Sequence, residues 1–164
     1  MILIRRAELG DLEAVLDLRI RMLCELNNVT NESQLPGLVE ANRRYLAEKL
    51  PGGQFLSWVA EAEGHVVAAG GLVPFERPPL IGNLAGLEGY VMNMYTLPAW
   101  RGRGLATRLL DEIIGYVKEQ GGRRLWLRAT DAGRGIYEKA GFVADGSHPH
   151  GSPTVEMELA LGQE

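Results

Sequence analysis

The stretch Glu88-Gly-Tyr-Val-Met-Asn-Met-Tyr-Thr-Leu-Pro-Ala-Trp-Arg-Gly-Arg-Gly-Leu-Ala-Thr107 decides the fold. Glu88 to Leu97 reads as a strand, Pro98 turns the chain, and Leu105 to Glu119 reads as a helix. Between them, Arg101-Gly102-Arg103-Gly104-Leu105-Ala106 carries the chain from strand into helix through small residues. Such a turn leaves backbone N–H groups unpaired at the helix start, where the macrodipole also favours an anion. The six residues therefore read as a phosphate cradle. Two common phosphate loops fail on spacing. A P-loop needs a Gly-Lys pair, which the chain lacks, and the dinucleotide fingerprint that opens at Gly102 meets Thr107 where its third glycine belongs.

What does fit is R-x-x-G-x-A, read as Arg101, Gly104 and Ala106. It resembles the pyrophosphate-binding motif of the GNAT superfamily of acyl-CoA-dependent N-acyltransferases. Upstream, Tyr90 to Pro98 resembles that family's central strand and proline turn. Downstream, Ala129-Thr-Asp-Ala-Gly-Arg-Gly-Ile-Tyr-Glu-Lys-Ala-Gly-Phe142 resembles its second cofactor element, and Tyr137 to Phe142 nearly matches its helix-to-strand signature. Ile2 to Ala7, followed by the helix-like run from Asp11, is similar to the opening strand and first helix. The similarity is strong over residues 88 to 142 and weaker elsewhere.

The resemblance implies an α/β fold with a mixed, mostly antiparallel central sheet flanked by helices, and direct transfer of acetyl from acetyl-CoA to an amine acceptor. It implies a cofactor pyrophosphate on the backbone from Arg101 through Gly102, Arg103, Gly104, Leu105 and Ala106 to Thr107. It also implies a backbone N–H around Met94, Tyr95 and Thr96 on the acetyl carbonyl, with the pantetheine arm pairing at the strand edge near Thr96. Thr130 stands where the family commonly has Asn, so a cofactor contact there is shorter or missing. Tyr137 occupies the general-acid position, and a phenol can donate to a thiolate of similar basicity. Homodimers are a further expectation of the family. The other reading of the same fold is a CoA-binding sensor or scaffold without turnover, and acyl length or O-transfer depends on pocket shape, which no motif reports.

The amine's proton needs a destination. A lysine-like amine of pKa ~10.4 is protonated at neutral pH, and exposing its lone pair costs about 4 to 5 kcal/mol unless a base accepts the proton. Glu88 is one candidate, on the alternating face that strand geometry assigns to Tyr90, Met92 and Met94. Tyr90 holds the position most like the family's carboxylate by spacing, which leaves a solvated acid as the other reading of Glu88. His148 and His150, flanking Pro149, are the remaining candidates, since a histidine titrates near neutrality.

Composition bounds the rest. The 164 residues suit one domain spanning 1–164, with 46% hydrophobic and 23% charged residues, ordinary for a globular protein. No apolar run reaches membrane-span length and no signal peptide pattern opens the chain, so the cytoplasm is the expected location. Cys24 is alone, so neither an internal disulfide nor a cysteine metal site is expected, and no metal is implied. The net charge of −4 is uneven: residues 101–139 carry nine basic and five acidic side chains. A basic segment in an acidic protein suits a local polyanion such as coenzyme A better than a nucleic-acid backbone. The acidic balance of residues 1–100, twelve against eight, mildly favours a cationic acceptor.

Along the chain, residues 2 to 7 read as an edge strand and Asp11 to Leu26 as an amphipathic helix, with Leu12, Val15, Leu16, Leu23 and Leu26 near one face. A second helix is expected from about Leu38 to Leu50, shaping the acceptor pocket as in similar folds. Phe55–Glu63 and His65–Val73 read as a hairpin about Gly64, and residues 74–89, with three prolines, as a loop able to cover the site. A strand from Arg124 to Ala129, a short helix ending near Gly141 and a strand from Thr154 to Leu161 close the chain.

Overall fold

The computed structural model describes residues 1–146 and 154–162. In chain order the elements are β1 (Ile2–Arg6), α1 (Leu12–Leu26), α2 (Leu38–Lys49), β2 (Leu56–Ala62), β3 (His65–Glu76), β4 (Leu87–Thr96), α3 (Leu105–Glu119), β5 (Arg124–Thr130), α4 (Asp131–Lys139), β6 (Val143–Ala144) and β7 (Thr154–Ala160). The seven strands form one sheet in the order β1-β2-β3-β4-β5-β7-β6. Every neighbouring pair is antiparallel except β4 and β5. Those two are joined through α3, and a parallel pair requires such a crossover.

Apolar periodicity assigns the helices to opposite faces. Leu105, Leu109, Leu110, Ile113 and Val117 line one side of α3 and pack with Leu72, Val91, Leu125 and Leu127 of the sheet. On the other face, Val15, Leu16 and Leu18 of α1 and Leu46 of α2 pack with Phe55, Val59 and Tyr95. Arg5 of β1 grips Asp11 just before α1 with two bonds of 2.8 and 2.9 Å, and the Glu8 N–H donates to the same carboxylate. These bonds hold the Asp11 carboxyl below its ordinary pKa, with Arg5 the main cause. A depressed carboxyl stabilises the fold above its unfolded pKa of ~3.9, and that contribution is lost as pH falls through the folded value. Asp11→Asn is therefore expected to cost about 1 to 2 kcal/mol at pH 7. In urea titrations its gap to the wild type should narrow steadily below pH ~3.9.

Two features differ from the sequence expectation. First, β3 continues through Pro74 to Glu76 and β4 starts at Leu87, so the connecting loop is residues 77–86 rather than 74–89. Strand β2 pairs no further than Leu72, so beyond it β3 is an edge, where a proline costs no ladder bond. The loop is pinned by Arg77 N–H to Gly86 O (2.8 Å) and by reciprocal bonds between Leu80 and Asn83. It sits at the start of β4, roughly 30 Å of strand from the cradle, and so does not cover it.

Second, β4 holds one residue more than β3 between the pairs Gly71↔Met92 and Ala69↔Tyr95. Asn93 takes up the excess with a left-handed backbone, φ 58°, which Asn tolerates better than most residues. This bulge reverses the alternation. Met92 packs on the α1/α2 face, but Met94 joins the α3 core and Tyr95 returns to the α1/α2 side. Met94 therefore does not share a face with Glu88 and Tyr90, as strict alternation would have it.

Candidate active site

Parallel pairing of β4 with β5 lasts only for Glu88↔Arg124, Gly89↔Leu125 and Tyr90↔Trp126. From Val91 to Thr96 the β5-facing edge of β4 has no strand partner, while β5 goes on to pair with β7 as far as Thr130. The bulge at Asn93 bends β4 at this point. The last paired residues are two aromatic side chains, Tyr90 and Trp126, with ring centroids 4.3 Å apart. The two strands part here, leaving that edge of β4 without a strand partner, with Thr96 O taken by Arg101 Nε.

That edge leads to the loop before α3. Gly102 and Gly104 both have left-handed backbones, φ 75° and 73°. The Arg101 N–H bonds Pro98 O, and the next backbone bond in the loop is Arg108 N–H to Gly104 O. The six N–H groups of Gly102, Arg103, Gly104, Leu105, Ala106 and Thr107 have no acceptor among the described residues. Added to the positive end of a 15-residue helix, they are a set of donors chemically suited to an anion. The fit to a pyrophosphate rests on these six donors and on the unpaired edge leading to them.

Arg101 belongs to the cradle's frame rather than its floor. Its Nε donates to Thr96 O at 3.0 Å, its Nη2 reaches both Glu25 oxygens at 3.0 Å, and its guanidinium lies 5.4 Å from the Tyr95 ring centre. The Tyr95 hydroxyl also donates to Glu25. Burial and this carboxylate push the Tyr95 phenol up to about 12, and the Tyr95 and Arg101 bonds hold Glu25 below the carboxylate range. The end of α1, the end of β4 and the loop are thereby tied together. Arg103 instead lies over Trp100 at 4.5 Å on an exposed surface, a charge able to swing toward the cradle.

At the far wall, the Thr130 hydroxyl accepts the Gly133 N–H at 3.2 Å and caps α4. One lone pair of the residue expected to touch the cofactor is thus spent on the helix. The cap starts the helix that presents Tyr137, whose ring packs edge-on against Phe142 at 5.9 Å. Its hydroxyl has no hydrogen-bond partner among the described residues. Burial, with a smaller contribution from Tyr90, pushes its phenol up to about 12. That is well above a thiol near 8.5, so the match in basicity expected from the sequence does not hold.

Glu88 is only 6% exposed, and thus no solvated loop acid. Its Oε2 meets Arg124 Nη1 at 3.3 Å and Arg77 Nε at 3.4 Å, at the start of β4. His148 and His150 lie outside the described residues. Among the described residues no group of three or more His, Cys, Asp and Glu could hold a metal, and no helix is long and apolar enough to cross a membrane.

On the α1/α2 face a cavity of about 340 Å³ opens between the helices and β4, lined by Ala41, Asn42, Tyr45 and Leu46 of α2, Phe55, Met92 and Arg19. Arg19 is not among the residues expected from the sequence motifs. Its signal is its place on α1, three residues after Leu16 and four before Leu23, inside the apolar stripe where a charge is costly.

Comparison with known proteins agrees with this geometry. The model of the acetyltransferase (GNAT) family matches residues 20–142. The chain is 36% identical over 91 residues to an uncharacterized N-acetyltransferase, YjgM, of Escherichia coli, covering 52% of this chain and 49% of that protein. It is 39% identical over 57 residues to the ribosomal protein bS18 alanine N-acetyltransferase of Haemophilus influenzae, covering 34% of this chain and 39% of that one. The matches thus span less than half the length of each of these relatives. A crystal structure of a predicted acetyltransferase with acetyl-CoA from Clostridium acetobutylicum superposes with a TM-score of 0.79 at 28% identity, over 93% of this chain and 96% of that one. With the family's model covering three quarters of its length and the fold superposing on a solved acetyltransferase, the chain belongs to the acetyltransferase (GNAT) family.

Proposed function

We propose that the protein transfers acetyl from acetyl-CoA directly to the amine of a small molecule. The observation that carries this reading is the alignment of three features along β4. The six free N–H groups suit a pyrophosphate, the unpaired edge from Val91 to Thr96 suits the amides of a pantetheine arm, and the cavity beside Met92 suits an acceptor. The bound thioester supplies an activated acetyl carbon, so no covalent enzyme intermediate is needed once both substrates are held together.

Each residue then has a defined task. Gly102 to Thr107 hold the donor's phosphates through their N–H groups, and Arg101 keeps that loop on the end of β4. A backbone N–H between Met94 and Thr96 receives the carbonyl oxygen as charge builds on it. The amine's lone pair forms the new C–N bond as the C–S bond breaks, and the proton lost by nitrogen finally balances the departing sulfur. Tyr137, raised to about 12, stays a phenol throughout the neutral range and donates a hydrogen bond to that sulfur. Full proton transfer from so weak an acid would be uphill, so its contribution is a shared proton in the transition state.

Glu88 shares the α1/α2 face with Tyr90 and Met92, and we assign it the acceptor's proton, received through water because three residues of strand lie between it and Met92. Glu88→Gln is expected to lower turnover most near pH 7 and least at high pH, where free amine is abundant. A loss of equal size across the pH profile would leave Glu88 only its bracing of Arg77 and Arg124. The reading as a whole is tested by thiol release from acetyl-CoA with amino acids, polyamines, aminoglycosides and peptides as acceptors. Release stimulated by a small amine is expected. Tight acetyl-CoA binding with no stimulated release by any of them would reject it.

A further inference from the structure

Eight of the fourteen arginines face a carboxylate. Arg5, Arg21, Arg43, Arg77, Arg101, Arg124, Arg128 and Arg134 each lie within 4.0 Å of an Asp or Glu oxygen. Arg19 is different. It is half-buried on α1, and its guanidinium meets only neutral acceptors, Asn42 Oδ1 at 2.5 Å from Nε and Asn93 Oδ1 at 3.5 Å from Nη1. No ion pair or other contact supplies it with a counter-charge among the described residues. Burial works against its charge, relieved only in part by Tyr45 and Tyr90. A guanidinium does not give up its proton, so it remains a cation short of an anion.

The position of that cation defines what it can serve. Arg19 lines the cavity, Asn42 orients it from α2, and Asn42 Nδ2 is itself held by Leu38 O at 2.9 Å. Its Nη1 approaches Asn93, the bulge residue of β4, so the charged corner of the cavity adjoins the wall of the cleft. Two of its five donors are engaged and the rest are uncommitted. The remaining walls, Phe55, Met92, Leu46 and Tyr45, are apolar or aromatic.

We infer that the acceptor is a small amino-carboxylate of the amino-acid type, its carboxylate on Arg19, its amine toward the bulge of β4 and an apolar side chain against Phe55 and Met92. The inference rests on the acetyl-transfer reading and narrows its substrate class. It reverses the charge preference that the acidic first hundred residues suggest, because the local cation in the cavity outweighs a screened net charge spread over the surface. Arg is suited to the task, since its planar fork matches a carboxylate with two parallel bonds. The cavity lies at the small end of ligand clefts, which favours a free amino acid over a folded protein segment.

The test compares matched acceptors: leucine, methionine and phenylalanine against their decarboxylated amines and their amides, together with an amidated alanyl peptide. With acetyl-CoA saturating, kcat/KM should favour each amino acid over its amine by roughly 10- to 100-fold, the range of a charge-assisted hydrogen bond. In Arg19→Gln that ratio should fall toward one. Amines acetylated as well as the amino acids, a peptide amide preferred to both, or a ratio unchanged in Arg19→Gln would each overturn the inference while leaving acetyl transfer intact. If no acceptor is turned over, the acetyl-transfer reading fails separately, and calorimetry still decides the site. Leucine or phenylalanine should bind the wild type, isoamylamine or phenethylamine should bind at least 10-fold more weakly, and a fully folded wild-type protein that binds neither amino acid would refute it.

Discussion

Gly104→Glu should abolish usable acetyl-CoA binding. Gly104 has φ 73° and leads into α3, and no atom lies within 4 Å of a Cβ built on it, so the new Cβ would meet no steric block from the protein. The cost has two parts. A non-glycine residue in the left-handed region costs roughly 1 to 2 kcal/mol, borne by the loop. The larger part is a carboxylate placed among the N–H groups proposed to hold the donor's phosphates: at ~5 Å and an effective dielectric near ~20, two like charges repel by about 3 kcal/mol. Together these correspond to a loss of more than ~100-fold in affinity. Gly104→Ala isolates the strain and should lose no more than about tenfold. Calorimetry with coenzyme A and acetyl-CoA, beside circular dichroism to confirm folding, separates the two. Equal affinity in wild type and a folded Gly104→Glu would remove the cradle as the phosphate site.

The turn into α3 and its free N–H groups were legible because their signal is local. Gly102 and Gly104 are small residues at a strand-to-helix turn, and the R-x-x-G-x-A spacing needs no knowledge of distant contacts. Its first residue was legible in position but not in role. Nothing in the spacing shows that Arg101 would spend its guanidinium on Thr96 and on Glu25, 76 residues earlier, because that contact exists only once α1 lies beside β4. The helices and most strands were legible from periodicity, whereas Pro74 misled, since a proline is punctuation in sequence yet tolerated on an edge that only the sheet order creates. The bulge at Asn93 was hidden for a similar reason. An extra residue in β4 has meaning only against the register of β3, and without it Met94 was set on the wrong face. Arg19 left a visible mark, a charge in an apolar stripe. That mark acquires a meaning only beside the cavity and the lack of a carboxylate partner among the described residues.

Tyr137→Phe is the second large effect, and it isolates one hydroxyl. The ring packs against Phe142 and the α3 core, contacts that Phe retains. The hydroxyl has no partner among the described residues, so its removal orphans no group of the described protein. Stability and acetyl-CoA affinity are therefore expected to be unchanged, and the whole effect should fall on the step in which the C–S bond breaks. Loss of one preorganised donor to a developing negative charge typically slows that step by ~10²- to 10³-fold. The pH dependence carries an independent signature. Because burial raises the phenol to about 12, it keeps its proton across the neutral and mildly alkaline range, and no fall in rate from its ionisation should appear there. If the phenol instead titrated near its ordinary value of ~10, the wild-type rate would fall above that pH and the Phe variant's would not. Steady-state turnover can hide the effect behind product release, so the decisive measurement is the single-turnover rate of acetyl transfer to a saturating acceptor. A wild-type rate in the Phe variant would take the proton-donor role away from Tyr137. A 10²-fold loss with unchanged acetyl-CoA affinity would place the hydroxyl at the departing sulfur, on the helix that Thr130 caps.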